Sequence, residues 1–389
     1  MRVAVVSEFY PRAHDPVLGV WAHRQALAAR DAGADVRVVV LHRPVPPRST
    51  RLRDAPRVAR TLVTQPRHAT LDGLEVRYVP FFAPPRPRTY GSWGAWAAPA
   101  LAVALRRLHA RFPYDLVHAH NAVPAGDAVL RARIGAPLVI SVHGGDVFYT
   151  APRYAAGARA VRRALHAARL VLANSAGIEH DAERLGARAT RVVHLGTDVP
   201  EHAPHRRTIP TVVTVGHLVA RKRHADVVRA LWLLRDRHPD LHYLVIGDGP
   251  EREPLARLAQ ELGVADRIEL AGQLPHQEAL VRAATAHVFV MPSIDEAFGV
   301  AYIEAMAACL PAIGTRGEPG PQEIAAAGEG LLLVPPGDIE ALAGLIDELL
   351  GHQGYLQELG QRARATVQAA FTWEACGRAT VAAYEDAVR

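Results

Sequence analysis

Glu296 and Glu304 stand eight positions apart, with Phe298 and Gly299 between them. Before them His287–Met291 is a short apolar run stopped by Pro292, the pattern of a strand. After them Ala305-Met306-Ala307-Ala308 is good helix-forming sequence. The segment therefore predicts strand, loop, helix, with Glu296 in the loop and Glu304 about one turn into the helix. Phe298, Gly299 and Val300 fall at the helix start, where free N–H groups and the positive dipole end can hold an anion. A phosphate seat with a carboxylate on either side fits a ligand that carries hydroxyls at both ends of a diphosphate.

Three further places could do chemistry. Lys222 is the only lysine in a chain with 45 Lys and Arg. Keeping one compact ammonium where every other base is Arg suggests that position 222 needs a point charge rather than a planar fork. It closes the run Gly216-His217-Leu218-Val219-Ala220-Arg221-Lys222. The run Ser141-Val142-His143-Gly144-Gly145-Asp146 ends a strand in an imidazole followed by two glycines, which exposes the ring with little bulk around it. Asp146 either orients a ligand or caps the next segment. The loop Asp15–Val20 precedes a helix, and Gly19, lacking a Cβ, lets backbone approach a ligand closely.

These motifs resemble those of the retaining family-4 glycosyltransferases of the GT-B fold, the group 1 glycosyl transferases. The resemblance rests on the two glutamates around Phe298-Gly299, on the Gly-x-Leu-x-x-x-Lys run at 216–222 and on His143-Gly144-Gly145. It extends through Gly247-Asp248-Gly249-Pro250 and Gly314–Gly320 to Phe371-Thr372-Trp373, so it covers nearly the whole chain. It implies a nucleotide-diphosphate sugar as donor, a hydroxyl acceptor, no cofactor and no metal. Catalytic roles fall by resemblance on His143 near the reacting sugar, Lys222 on the diphosphate and Glu296 on sugar hydroxyls. Donor-binding roles fall on Gly19, His217, Arg221, Phe298, Gly299, Val300 and Glu304, the last holding the ribose. One position departs from the pattern: His217 stands where relatives carry an Arg. Either His217 is charged beside the diphosphate or Arg221 supplies the missing charge. Two other readings share the fold: a nucleotide-sugar epimerase and a non-catalytic sugar-nucleotide-binding protein. No Asp-x-Asp, no Gly-x-Gly-x-x-Gly after a strand, no Walker loop and no metal-spaced Cys/His cluster occurs, which sets aside metal-diphosphate, dehydrogenase and NTPase motifs.

The chain has 389 residues, 49% of them hydrophobic, enough for two sizeable cores. Its 2 cysteines, Cys309 and Cys376, make no disulfide framework. No signal peptide and no membrane-spanning run is evident, and the expected location is cytoplasmic. Residues 1–200 carry 28 Arg against 14 acidic residues, and residues 201–389 carry 17 Arg and Lys against 25, so +14 faces −8. A basic half suggests an anionic partner; an anionic membrane face is one candidate, and nucleic acid is not expected. Trp93 and Trp96, leading into Arg106-Arg107, together with Arg48, Arg51, Arg53, Arg57 and Arg60 upstream, suit a membrane interface. Equally, Ala97–Leu108 is a core-packing helix on which both indoles could pack.

Two α/β runs follow one another. The first holds strands expected at Arg2–Ser7, Asp35–Leu41, Leu116–Ala119, Pro137–Val142, Leu170–Asn174 and Arg191–Leu195, with Arg43–Thr70 irregular and Pro152–Ala168 a single helix. The second restarts at Thr211 after a polar, proline-rich stretch, Asp198–Pro210, expected to be the interdomain linker. This predicts an α/β chain of two doubly wound Rossmann-like domains facing across a cleft. Residues 1–200 form the acceptor side and residues 201–370 bind the nucleotide sugar. Residues 371–389 form a last helix which, by resemblance, crosses back to the first domain.

Overall fold

The computed structural model describes residues 1–46, 55–86, 88–202 and 205–389. The chain divides into two compact units: Met1–Leu195 with Trp373–Arg389, and Gly196–Thr372. The last helix, Trp373–Val388, thus belongs with the first unit, packed on the helix Val20–Asp31.

Among the described residues the first unit holds an eight-stranded sheet. In chain order its strands are β1 (Arg2–Ser7), β2 (Asp35–His42), β3 (His68–Leu71), β4 (Leu74–Pro80), β5 (Leu116–His120), β6 (Leu138–Val142), β7 (Leu170–Ala173) and β8 (Thr190–Val192). The spatial order is β3-β4-β2-β1-β5-β6-β7-β8, parallel throughout except for β3. Parallel strands with helices on both faces must be apolar on both faces, and Val3, Ala4, Val5 and Val6 are fully buried in succession. On one face Val3, Val5, Val38 and Val40 meet Ala22, Ala26 and Ala29, and Tyr384 of the last helix joins the same core. Each buried valine contributes about 1.5–3 kcal/mol relative to an exposed one.

The second unit repeats the design with β9 (Thr211–Val215), β10 (His242–Ile246), β11 (Ile268–Gly272), β12 (Val288–Val290), β13 (Ala312–Thr315) and β14 (Leu331–Val334), all parallel, in the order β11-β10-β9-β12-β13-β14. In both sheets the winding direction reverses once, between β1 and β5 and between β9 and β12. Ligand sites of doubly wound sheets lie outside the carboxyl ends of the strands at that reversal.

Several expectations need correction. The stretch Arg43–Thr70 is not irregular over its described part: Ala55–Val63 is a helix and His68 opens β3. β4, which pairs β2 over six residues, and the helices Ala176–Arg184 and Pro319–Ala327 were not anticipated. The helix expected over Pro152–Ala168 breaks at Tyr154, whose extended backbone (φ −144°) separates Ala151–Arg153 from Ala155–Ala167. The stretch Asp198–Pro210 is not a free linker. The Arg206 guanidinium donates to the carbonyls of Ala284 (2.8 Å), Ala286 (3.0 Å) and Cys309 (2.7 Å), which ties this stretch to the second unit. Of the two indoles, Trp93 is core: its Nε1 donates to the Pro84 carbonyl at 2.9 Å, and its ring packs on Phe81 and Tyr90. Trp96 is 53% exposed. Arg48, Arg51 and Arg53 lie outside the described residues. Cys309 and Cys376 are both free and buried.

Candidate active site

In the second unit the loops after β9 and β12 meet at the reversal. A short 3-10 turn, Ala220–Lys222, carries Lys222 inward, and the Ile294 amide donates to the Arg221 carbonyl at 2.9 Å, stitching the two loops together. Lys222 Nζ lies 2.5 Å from Glu296 Oε2, and Arg221 approaches the same oxygen at 3.7 Å. Ser293 Oγ donates to it as well, at 2.9 Å. All three partners gather on Oε2, and Oε1 has no partner among the described residues. The Glu296 amide donates to Glu318 Oε2 at 2.8 Å, which holds the loop from the other side.

The electrostatics follow from burial. Desolvation alone would raise the Glu296 carboxyl, but the Lys222 ammonium and the Arg221 guanidinium outweigh it and hold the group below its ordinary value. Burial lowers Lys222, and the Glu296 charge only partly offsets this. Glu318 is raised, chiefly by burial. Such a buried pair is costly to break from one side, because the survivor is left charged and alone.

The helix expected after Phe298-Gly299 runs from Val300 to Ala307. Gly299 caps it at φ 87°, and a Cβ there would lie 2.5 Å from the Tyr302 ring, so the start needs glycine. The Tyr302 amide donates to the capping Gly299 carbonyl at 2.9 Å, and the amides of Val300 and Ala301 before it have no intrahelical acceptor. The Phe298 side chain turns into the core against Phe371, ring centroids 5.7 Å apart, and so does not face an anion at the helix start. Glu304 points elsewhere: its carboxylate is 3.4 Å from His276 Nε2, in a small recess with Leu280 and Ala301. The imidazole of His217 is exposed and makes no bond to the Lys222–Glu296 cluster among the described residues. Arg221 is the second cation there.

In the first unit the reversal lies between β1 and β5. Glu8, directly after β1, is 7% exposed and binds the Arg86 guanidinium at 2.6 Å and the Tyr90 hydroxyl at 2.7 Å. Arg86 lies over the Tyr90 ring at 4.0 Å. Gly19 caps the first helix at φ 65°, and a Cβ there would sit 2.2 Å from the Phe9 carbonyl. The close approach that needs this glycine is to the Phe9 backbone.

His143 follows β6. Its Nε2 lies 3.1 Å from His120 Nδ1, and Trp21 leans over it with centroids 4.1 Å apart. Burial pushes His143 down to about 3, so it is neutral across the ordinary pH range. Asp146 lies at the wall of the first unit's cavity and is held there by backbone. Its two oxygens accept from the amides of Ala122 (2.7 Å) and Val123 (3.1 Å), tying β6's loop to β5's. Beside these groups Phe9, Arg86, Tyr90, Tyr149, Arg153 and Tyr154 line a cavity of about 350 Å³. A larger groove of about 950 Å³ opens at the amino-terminal ends of β6 and β7, the wrong end of a doubly wound sheet for a substrate.

Sequence reasoning missed Ser293, Glu318, Glu8, Trp21 and His120. Glu8 and His120 had a signal: each sits at the carboxyl end of a strand flanking the reversal, and His118 and His120 share one face of β5 by alternation.

Comparison with known proteins decides the family. Residues 18–201 match the family model described as Glycosyltransferase Family 4, and residues 199–366 match the model described as Glycosyl transferases group 1. The chain belongs to the family-4 glycosyltransferases. It is 27% identical over 391 aligned positions to TuaC of Bacillus subtilis, a protein assigned to teichuronic acid biosynthesis as a glycosyltransferase, with 95% of each chain covered. It is 29% identical to the 2-deoxystreptamine glucosyltransferase of Streptomyces kanamyceticus, over 66% of this chain and 73% of that one, while six further curated relatives are matched over less than half of their own length. Among solved structures, sucrose-phosphate synthase from Thermosynechococcus elongatus superposes with a TM-score of 0.79 at 23% identity, covering 99% of this chain and 98% of that one. Anabaena HepE, solved with UDP and glucose, superposes with a TM-score of 0.72 at 18% identity, covering 99% of each. These likenesses show that this glycosyltransferase has the GT-B class of fold, two parallel-sheet Rossmann-like domains.

Proposed function

We propose that this glycosyltransferase moves a sugar from a nucleotide-diphosphate sugar to a hydroxyl acceptor with retention of configuration, without a metal. The observation that carries the reading is the pairing of Lys222 and Arg221 on Glu296 at the reversal of the second sheet, in the loop that leads to the helix start at Gly299. Two preorganised cations and the Val300 and Ala301 amides at the helix start suit a departing diphosphate. The unpartnered Oε1 of Glu296 suits a sugar hydroxyl, and Glu304 the ribose. The UDP in the HepE structure supports a nucleotide diphosphate as the leaving group.

The path we infer is front-face displacement. The C1–O bond to the β-phosphate breaks, the acceptor oxygen bonds C1 on the same face, and its proton passes to the leaving phosphate oxygen. Charge develops on the diphosphate, where Lys222 and Arg221 strengthen their hold. The first unit supplies the acceptor side, through the aromatic-lined cavity beside Tyr90 and Tyr149, and His143 contacts the reacting sugar. Sugars stack their C–H faces on such rings, and Arg153, held over Tyr149 at 4.7 Å, can hydrogen-bond hydroxyls. A polysaccharide or lipid-linked acceptor fits the notion that the exposed face around Trp96 touches anionic membrane.

Thermal-shift screening against UDP-, GDP- and ADP-sugars tests the donor: a ligand at about 100 times its dissociation constant stabilises by roughly 2.7 kcal/mol. NMR of the product's anomeric centre then reads retention, with and without EDTA. An inverted product, or activity abolished by EDTA and restored by Mg²⁺, overturns the mechanism.

A further inference from the structure

Asn121 follows β5 directly, at the reversal of the first sheet, and its backbone is strained. Its φ is 72° and its ψ is 143°. Arg133 and Arg223 also have positive φ, but their ψ of 56° and 37° place them in the ordinary left-handed region. Asn121 lies outside that region, near one that glycine alone enters freely. The surroundings impose it. The Asn121 amide donates to the Ser141 carbonyl at 2.8 Å, and the Asn121 carbonyl accepts from the Gly126 amide at 3.1 Å. The next two amides, of Ala122 and Val123, donate to Asp146 at 2.7 Å and 3.1 Å. Glycine would make the same turn without strain.

What asparagine adds is its side chain, and the fold does not use it. Asn121 is 7% exposed and lines the first unit's cavity. Its side-chain amide makes no hydrogen bond among the described residues. Neither amide atom is sealed in, unlike Asn174 Oδ1, which is enclosed without a partner. Neighbouring polar side chains are spent on the protein itself: Glu8 on Arg86 and Tyr90, Asp146 on backbone amides, and Thr150 on the Gly145 carbonyl at 3.1 Å. Strained residues gather at ligand clamps, where the side chain they aim has a use. A primary amide sets a donor and an acceptor side by side, the pattern that two neighbouring ring hydroxyls match. Phe9, Tyr149 and Tyr154 supply apolar wall around it, and a mostly apolar recess with a polar group that fixes orientation is the usual make-up of a small-molecule subsite.

We propose that Asn121 is a specificity-determining residue, held in a strained turn so that its amide binds a vicinal pair of hydroxyls, and that the ligand of this cavity is a sugar ring. Taking that ring to be part of the acceptor rests on the proposed function; the recognition of the hydroxyl pair does not.

Saturation-transfer NMR of the full chain, titrated with methyl α-D-glucoside, methyl α-D-galactoside and methyl α-D-mannoside in turn, tests this. The tightest of the three is then compared with its monodeoxy forms. In wild type, two monodeoxy forms lacking neighbouring hydroxyls should each bind about 10-fold more weakly than the parent, the size of a hydrogen bond lost from a site built around it. In Asn121→Gly the parent should fall to about that weaker affinity, and the distinction between parent and deoxy forms should vanish. The same variant should melt no lower than wild type, because glycine relieves the turn. A side chain that served only the fold would not separate stability from binding in this way. The proposal is overturned if none of the three glycosides binds wild type, or if every deoxy form binds like the parent. It is also overturned if Asn121→Gly keeps the parent's affinity, or melts well below wild type. A protein that distinguishes glycosides through Asn121 but transfers sugar from no nucleotide sugar fails the functional reading and upholds the hydroxyl recognition.

Discussion

The two sheet reversals present different chemistry on the same scaffold: each holds an ion pair, Glu8 with Arg86 in the first and Glu296 with Lys222 in the second, but the first sets a row of imidazoles beside it. In the second unit the buried groups are charged, with Lys222 and Arg221 on Glu296. In the first unit the buried row His118, His120 and His143 is neutral, with burial lowering each imidazole. The Rossmann-like frame dictates only where loops converge; the loop residues decide whether that place stabilises developing charge or offers neutral hydrogen bonds. A leaving diphosphate needs the first, and a sugar poised to become cationic is served by a ring that does not itself carry positive charge.

The sharpest break of this contrast is Lys222→Ala. Turnover should fall by about 10²–10³, the usual cost of removing a donor to developing negative charge. Because Lys222 is paired and buried, stability should fall too, by up to about 3–5 kcal/mol, since Glu296 keeps its charge with less to meet it. Adding Glu296→Gln should restore most of the stability and none of the turnover. Chemical denaturation and initial rates on the two single variants and the double variant check it; a double variant no more stable than Lys222→Ala would show that the pair is not what burial makes costly.

Next in size is the division of labour between the glutamates. Glu304→Gln should weaken free nucleotide diphosphate. Glu296→Gln should disturb the sugar nucleotide more than the nucleotide, because Oε1 is the free oxygen. Calorimetry with both ligands reads this, and equal effects on the nucleotide would contradict the assignment. Since Glu296 also anchors Lys222, some loss of nucleotide affinity is expected, smaller than that of Glu304→Gln.

A smaller effect sharpens the neutral half. His118 is pushed down to about 3 by burial, while an unfolded histidine titrates near 6.5. The unfolded chain therefore binds the proton first, so stability is full above about pH 6.5 and falls as pH drops toward 3. Each such histidine steepens the loss by up to about 1.4 kcal/mol per pH unit. Glu296, held below its ordinary value, begins to cost stability only below the unfolded carboxylate range near 4.3. Between pH 7 and 5 the slope should be shallower in His118→Asn, which can still hydrogen-bond but cannot titrate. An unchanged slope would mean that His118 is not the neutral buried group described.

Much of this was legible in the residues. The run Val3–Val6 and its counterpart Val212–Val215 could only be buried parallel strands, and Lys222, Glu296 and His143 each stood out by type and place. Their pairing did not: Lys222 and Glu296 are 74 residues apart, and only the strand order β9-β12 brings their loops together. β4 was readable in principle, since Leu74, Val76 and Tyr78 alternate with Glu75 and Arg77, but the arginine-rich stretch before it drew attention to composition instead of period. Arg206 looked like linker because its partners are backbone carbonyls, which no side-chain pattern announces.

The smallest expected effect concerns the surface. In the helix Trp93–His109, Trp93, Ala97, Leu101 and Leu105 are buried, while Trp96, Pro99, Val103, Arg106 and Arg107 recur on the opposite, exposed side. Trp96 and Val103 are 53% and 46% exposed. A helix that packs its own core face well and still carries an indole and a valine outward, with arginines in the next turn, has the composition of an interfacial contact. Among the described residues no helix is long and apolar enough to cross a membrane. Each arginine near an anionic surface contributes about 1 kcal/mol, an attraction that fades within a Debye length. Co-sedimentation should therefore show binding to anionic vesicles at low salt that weakens several-fold at high salt. It should weaken further in Trp96→Ala, while neutral vesicles bind little. Arg106→Gln with Arg107→Gln should remove the salt dependence before the residual binding, because indole insertion does not depend on ionic strength. Equal binding to neutral and anionic vesicles at low salt would leave Trp96 as an isolated surface residue and the basic first half as an ordinary solvated arginine surface.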